Sequence, residues 1–208
     1  MASRDELYEG ALEVEASGLN HGSSGNISVR EKSGFWITPS GVQTKNLNPD
    51  SMVFVNLEKG PKEGERPSSE WPFHQAVYRS RKDLNALVHT HSVNASSVAI
   101  LGKSIPPIHY MVAVCGGTEV RCVPYATYGT QELSDHVVRG MEDRNAILME
   151  HHGLLAGEKT LSRAIWVARE IEWVAECYLK LLPLGPVPTL RFDQMKAVID
   201  KFQGYGVK

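Results

Sequence analysis

The sequence predicts an α/β fold of three layers, α/β/α, around a central and mainly antiparallel sheet. Three observations carry this. Segments with the two-residue alternation of strands and segments with the three-to-four spacing of helices take turns along the chain. Several of the strands are short and joined as hairpins, which pairs them antiparallel. No GxGxxG follows a strand and no GxxxxGK[ST] occurs, so a doubly wound nucleotide-binding sheet has no support. At 208 residues the chain is expected to form one domain, 1–208.

The elements follow in order. From about Asp5 to Gly18, Leu7, Ala11, Leu12 and Ala16 recur at helical spacing, with Ser3 placed to cap them. The run from Asn20 to Asn26 is rich in glycine and serine and reads as a tight loop. Ile27 to Arg30 alternates like a strand, with its hairpin partner from Gly34 to Thr38 and a turn at Pro39-Ser40-Gly41. Met52 to Asn56 is another strand, and the charged stretch from Lys59 to Arg66 a solvent loop. A helix opens after Ser68-Ser69-Glu70, with Ser69 as N-cap, Pro72 in the first turn and an apolar stripe of Phe73, Ala76 and Val77 reaching about Arg81.

Leu87-Val88-His89-Thr90-His91 is a buried strand, backed by a helix from Val93 to Leu101. His109 to Val114 is apolar without a clear period. Arg121 to Pro124 is a short strand, and Thr130 caps a helix carrying Leu133 and Val137. Strands at Ala146–Glu150 and Gly153–Glu158 flank His151-His152. The longest helix runs from Leu161 to about Leu182, capped by Thr160, and a last one from Asp193 to Phe202 leads to Gly204-Tyr205-Gly206.

Composition narrows the function classes. The apolar fraction is 42%, the charged fraction 22% and the formal net charge -2, with no basic block. Nucleic acid and anionic membrane are poor partners for such a surface. The start of the chain has no apolar signal region and no run is long enough to span a bilayer, so a cytoplasmic location is expected. Three widely spaced cysteines, Cys115, Cys122 and Cys177, read as free thiols.

The chemistry concentrates in histidines. Of eight, four fall in His89-x-His91 and His151-His152. Strand side chains alternate, so His89 and His91 point the same way, with bases roughly 6–7 Å apart and able to share a metal. At most one of His151 and His152 can readily join them, and three imidazoles with one open position make a catalytic zinc pattern. Glu70, in the first turn of its helix, is the best carboxylate to act as fourth ligand or base. The turns at 22–26, 38–41 and 68–69 offer backbone N–H groups and hydroxyls for an anion without needing Lys or Arg.

Taken together, Gly25-Asn26-Ile27-Ser28, Thr38-Pro39-Ser40-Gly41, Pro67-Ser68-Ser69-Glu70-Trp71, His89-Thr90-His91 and His151-His152-Gly153 resemble the class II aldolase/adducin family. The resemblance continues through 105–111, 124–130 and 202–206 and spans essentially the whole chain. It implies a class II aldolase/adducin-like fold and a zinc-dependent aldehyde-lyase. Such an enzyme reversibly cleaves L-fuculose 1-phosphate, or a related deoxyketose 1-phosphate, into dihydroxyacetone phosphate and an aldehyde such as lactaldehyde. It implies one zinc per subunit on His89, His91 and His152, with His151 facing away. Glu70 would lie at the metal when substrate is absent, then move off to serve as general base. Asn26, Gly41, Ser68 and Ser69 would hold the phosphate, with Ser40 lining the turn. Tyr110 would act on the aldehyde-side hydroxyl from a neighbouring subunit, and Tyr128 and Tyr205 would line the aldehyde end. The family's homotetramer, with active sites at subunit interfaces, is expected here too.

The chain departs from the family's L-fuculose 1-phosphate branch at Tyr128, where phenylalanine is usual, and at Ser40, where threonine is usual. The metal and phosphate ends are retained, while the aldehyde pocket gains a hydroxyl. The alternatives are therefore a 5-deoxyribulose or methylthioribulose 1-phosphate aldolase, or a sugar-phosphate decarboxylase, dehydratase or 4-epimerase. Glu70 argues against the epimerases, which carry Asp there. An adducin-like binding module would lose the metal ligands, and all four are present.

Overall fold

The computed structural model describes residues 4–202. Eight strands form one sheet in the order β4-β3-β2-β1-β5-β8-β7-β6. The first half is β1 (Asn26–Glu31), β2 (Gly34–Ile37), β3 (Val53–Asn56) and β4 (Gly60–Pro61). The second is β5 (Ala86–Thr90), β6 (Cys122–Val123), β7 (Ala146–Met149) and β8 (Gly153–Glu158). Every pairing is antiparallel except β6 with β7, so the expected mainly antiparallel sheet is found with one parallel edge.

The helices are α1 (Arg4–Ala16), α2 (Trp71–Ser80), α3 (Val93–Ile100), α4 (Gln131–Met141), α5 (Leu161–Leu181) and α6 (Phe192–Phe202). They cover both faces because the strands alternate between two cores. Ile27 and Val29 of β1, Val88 of β5, Leu148 of β7 and Leu154 of β8 pack with α1, α3 and α5. Phe35 and Ile37 of β2, Leu87 of β5, Ile147 of β7 and Leu155 of β8 pack with Phe73 and Val77 of α2 and Leu133 and Val137 of α4. A strand buried on both faces needs apolar side chains in both phases, which is why β5, β7 and β8 read as continuous apolar runs. On β5 the phase of Leu87 passes to His89 and turns it toward the α2 side.

The structure moves several expected boundaries. α1 stops at Ala16, where Gly18 takes a left-handed conformation (φ 70°) and Leu19 N–H reaches back to Val14 O. The expected loop at 59–66 contains the two-residue strand β4, too short to show a period. The ambiguous segment after His109 is a 3₁₀ helix, Tyr110–Cys115, capped by the His109 side chain. Thr130 and Thr160 cap α4 and α5 as expected. Ser3 and the Gly204-Tyr205-Gly206 segment lie outside the described residues. Cys115, Cys122 and Cys177 are free, and burial pushes the Cys115 thiol up to about 11. Among the described residues no helix is long and apolar enough to cross a membrane.

Candidate metal centre

The sheet delivers the histidines. His89 is the penultimate residue of β5 and His91 lies one residue beyond its last paired position. His152 sits in the turn between β7 and β8, and β8 pairs with β5 so that His89 lies opposite Leu155. The three rings meet nearly edge to face, with centroids 4.8–5.0 Å apart and interplanar angles of 75–80°. Their inner nitrogens converge: His89 Nε2 is 2.9 Å from His91 Nε2. Glu70 completes the set, with Oε2 3.0 Å from His89 Nε2 and Oε1 2.9 Å from His152 Nε2. One ligand atom from each of the four lies within 4.8 Å of the others.

These residues fit a divalent metal on their own chemistry. His89 Nδ1 is 2.9 Å from Leu154 O, which only accepts, so that nitrogen carries the proton and Nε2 is the inward group. Two imidazole nitrogens at 2.9 Å cannot both present lone pairs unless a proton or a cation lies between them. Glu70 Oε1 approaches His152 without hydrogen-bond alignment and is a buried oxygen with no hydrogen-bond partner. Three nitrogens and one carboxylate oxygen suit zinc and several neighbouring divalent ions.

The electrostatics agree. Burial opposes ionisation of Glu70, but the charge of His89 and contacts from His152 and His89 outweigh it, and its pKa is lowered. Burial also opposes charge on His89, and the adjacent Glu70 carboxylate more than offsets this, raising its pKa. His91 is held neutral, down to about 3, by burial and then by the charge of His89 and His152. A bound cation would take the place of the His89 proton beside the Glu70 carboxylate.

Glu70 differs from its expected place. It is the N-cap of α2, not a first-turn residue capped by Ser69, and its own side chain makes no capping bond. Its backbone lies at φ -98°, ψ 7°, between the strand and helix regions. The carboxylate turns instead to the histidines and to Asn26, whose Nδ2 donates to Oε2 at 2.8 Å. Ser68 Oγ accepts from Glu70 N–H at 3.3 Å. Asn26 and Ser68, expected at the phosphate, therefore both touch Glu70.

The centre opens into a cleft of about 340 Å³. Ser40 N–H donates to Arg66 O and Ser68 N–H to Thr38 O, which zips the 39–41 turn against the 67–69 turn. That pairing brings Asn26, Ser40, Gly41, Ser68 and Ser69 together in the lining of the cleft, which Tyr128 also lines. Tyr110 is not there. It stands half exposed beside His109 and Trp173, on a groove that shares no residue with the cleft.

Three features escaped the sequence reading. Tyr125 and His151 also line the cleft, so His151 does not face away. Asn20 Oδ1 accepts from His91 N–H at 3.1 Å, fitting under Gly25, where any Cβ would lie 2.3 Å from that side chain. His74, fully buried on α2, bonds Asn26 and Ser28, and burial holds it neutral, down to about 3. The four-residue step from Glu70 to His74 was the available signal. The strand argument over His151-His152 also needs correction. Both lie in a turn, where His151 takes a left-handed backbone (φ 53°), and this reversal is what separates them. Gly153 permits the turn's close approach, since a Cβ there would meet Thr90 O at 2.3 Å.

The profile described as Class II Aldolase and Adducin N-terminal domain matches residues 5–179. The L-fuculose phosphate aldolase of Escherichia coli (strain K12) is 45% identical over 204 residues, covering 98% of this chain and 95% of that protein. A 5-methylthioribulose-1-phosphate/5-deoxyribulose-1-phosphate aldolase of Escherichia coli O45:K1 (strain S88 / ExPEC) is 47% identical over 205 residues, covering 98% and 96%. A solved structure of an L-fuculose 1-phosphate aldolase superposes with a TM-score of 0.92 at 36% identity, covering 98% of each chain.

Proposed function

Because the chain belongs to the class II aldolase and adducin family, we propose that it is a metal-dependent aldolase that reversibly cleaves a ketose 1-phosphate, L-fuculose 1-phosphate or a related deoxyketose 1-phosphate, into dihydroxyacetone phosphate and an aldehyde such as lactaldehyde. One observation carries the reading: three inward imidazole nitrogens and a Glu70 oxygen without a hydrogen-bond partner meet at the floor of a cleft walled by serine and glycine turns. A purely structural metal would not need that wall.

His89, His91, His152 and, before substrate arrives, Glu70 would hold the ion, taken as one Zn²⁺ per subunit. When bound, it supplies Lewis acidity toward the substrate's carbonyl and hydroxyl oxygens. Glu70 has the reach for general-base work: freed from the histidines, its carboxylate takes the proton from the hydroxylated carbon beside the carbonyl of dihydroxyacetone phosphate. The Gly41 N–H and the hydroxyls of Ser68 and Ser69, with Ser40 lining the turn and Asn26 alongside, bind the phosphate. Tyr128 lines the aldehyde end. Tyr110 from a second copy handles the proton at the aldehyde oxygen, and Tyr205, outside the described residues, is assigned to the same end. That division of labour goes with a homotetramer, one domain (1–208) per chain, working in the cytoplasm.

A second reading has its own observation. Tyr128 is 65% exposed and projects a hydroxyl beside Tyr125, suiting a different aldehyde, and a 5-methylthioribulose/5-deoxyribulose relative is as similar as the fuculose one. A retro-aldol assay on the 1-phosphates of fuculose, rhamnulose, ribulose and 5-deoxyribulose, with and without chelator, decides. Chelator-sensitive release of dihydroxyacetone phosphate from at least one is expected. Cleavage of none, or cleavage untouched by metal removal, would end the aldolase reading.

A further inference from the structure

Helix α2 and the residue before it carry Glu70, His74 and Tyr78 at four-residue spacing, while β1 carries Asn26, Ser28 and Arg30 at two-residue spacing. Each spacing keeps its row on one face, so the two polar rows meet between helix and sheet. They interlock as a single file. Tyr78 Oη is 2.9 Å from Ser28 Oγ, and Ser28 Oγ is 2.7 Å from His74 Nδ1. His74 Nε2 is 2.6 Å from Asn26 Oδ1, and Asn26 Nδ2 is 2.8 Å from Glu70 Oε2. Ser28, His74 and Tyr78 have no exposure at all. Arg30 closes the far end, its guanidinium 4.5 Å from the Tyr78 ring centroid and bonded to the Tyr78 carbonyl.

The proton positions follow from the carboxylate inward. An ionised Glu70 only accepts, so Asn26 must turn its NH₂ to Glu70 and its carbonyl to His74. That carbonyl also only accepts, so His74 must donate from Nε2. The ring is neutral, which leaves Nδ1 to accept the Ser28 hydroxyl, while the Tyr78 hydroxyl donates to the Ser28 carbonyl at 3.1 Å and stays beside Ser28 Oγ. Every bond from Ser28 onward then points toward Glu70, and one histidine tautomer alone allows it. A buried polar file has a plain alternative, mere mutual satisfaction of interior polar groups. Yet apolar side chains would fill this space at lower desolvation cost, and the file ends on the proposed general base.

We propose that His74 is a positioning residue whose Nε2–H locks the Asn26 amide with its NH₂ toward Glu70 and the cleft. The lock aims the proposed base in the resting site. Once Glu70 moves, it keeps the Asn26 carbonyl from turning toward an anionic substrate. This deepens the aldolase reading and rests on it for its kinetic consequence.

Two measurements test it on the metal-loaded protein. Nitrogen NMR of histidine-labelled protein, with residue 74 assigned by substitution, reads the tautomer directly. A ring protonated at Nε2 and bare at Nδ1 is expected, and the opposite tautomer overturns the proposal whatever the enzyme's substrate. In steady-state kinetics, His74→Leu should lower kcat on the order of tenfold with metal content intact, the loss of one bond aimed at a charged group. His74→Gln restores a side-chain donor and should stay within about threefold of the parent. Equal losses in the two variants, or a His74→Leu protein that is less heat-stable but equally fast, make the file purely structural and overturn the proposal. A parent protein inactive on every ketose 1-phosphate would instead sink the aldolase reading and leave the tautomer result standing.

Discussion

The two ends of the cleft are built differently. At the metal end, His89 is fully buried and braced by the Leu154 carbonyl, and Glu70 is 6% exposed and held by Asn26. At the far end Tyr125 and Tyr128 are 55% and 65% exposed and stand on loops. Sheet ends give rigid, pre-set geometry that suits bond-making chemistry, whereas loops tolerate change and suit discrimination among substrates. In the proposed mechanism the first end does the chemistry common to all substrates, and the second chooses the aldehyde.

The contrast can be broken most severely at its rigid end. His89→Ala should strip the metal and lower kcat/KM by about a thousandfold or more. Metal analysis and kinetics on the same preparation check this, and a metal-replete active variant would remove His89 from the centre. Glu70→Gln should keep the metal and lower kcat by about 10²–10⁴, the range for a positioned base. Near-normal turnover would reduce Glu70 to a ligand.

Tyr110→Phe should slow bond cleavage by about tenfold or more and leave proton exchange on dihydroxyacetone phosphate nearly unchanged. Equal losses in both would contradict an aldehyde-side role. Tyr128→Phe should leave exchange untouched and shift the preference between lactaldehyde and less polar aldehydes by no more than about tenfold. A large loss of exchange would erase the proposed distinction between the two ends. The smallest effect is expected at the bracing: Asn20→Ala removes one hydrogen bond to His91 and should cost about 1 kcal/mol in denaturant unfolding, with activity reduced only modestly.

Legibility in the sequence divided along the same line. The pairing of His89 with His91 was readable because a strand's period is two and leaves no choice of face. The helix caps Thr130 and Thr160 were readable from local chemistry. Choosing between His151 and His152 was not, because alternation does not govern a left-handed turn. Glu70 was readable as a candidate but misplaced by one helical position, since the pull of Asn26 and the histidines decides where α2 begins. The file through His74 hid behind Phe73 and Val77, whose apolar stripe accounts for the burial of α2 without it. Tyr110 lies outside its own chain's cleft, and the proposed mechanism gives it a role only from a second copy, whose position one chain's pattern does not encode.

The turn from Glu150 to Gly153 has a consequence for sequence drift. It is anchored at both ends, by Met149 and Gly153 pairing across β7 and β8 and by Gly153 lying against the Thr90 carbonyl. Adding or deleting one residue there would rotate a different side chain into the centre and exchange the two histidines. Most surface loops accept changes of length; this one can vary only in composition, and at position 151 only toward residues at ease with a left-handed backbone.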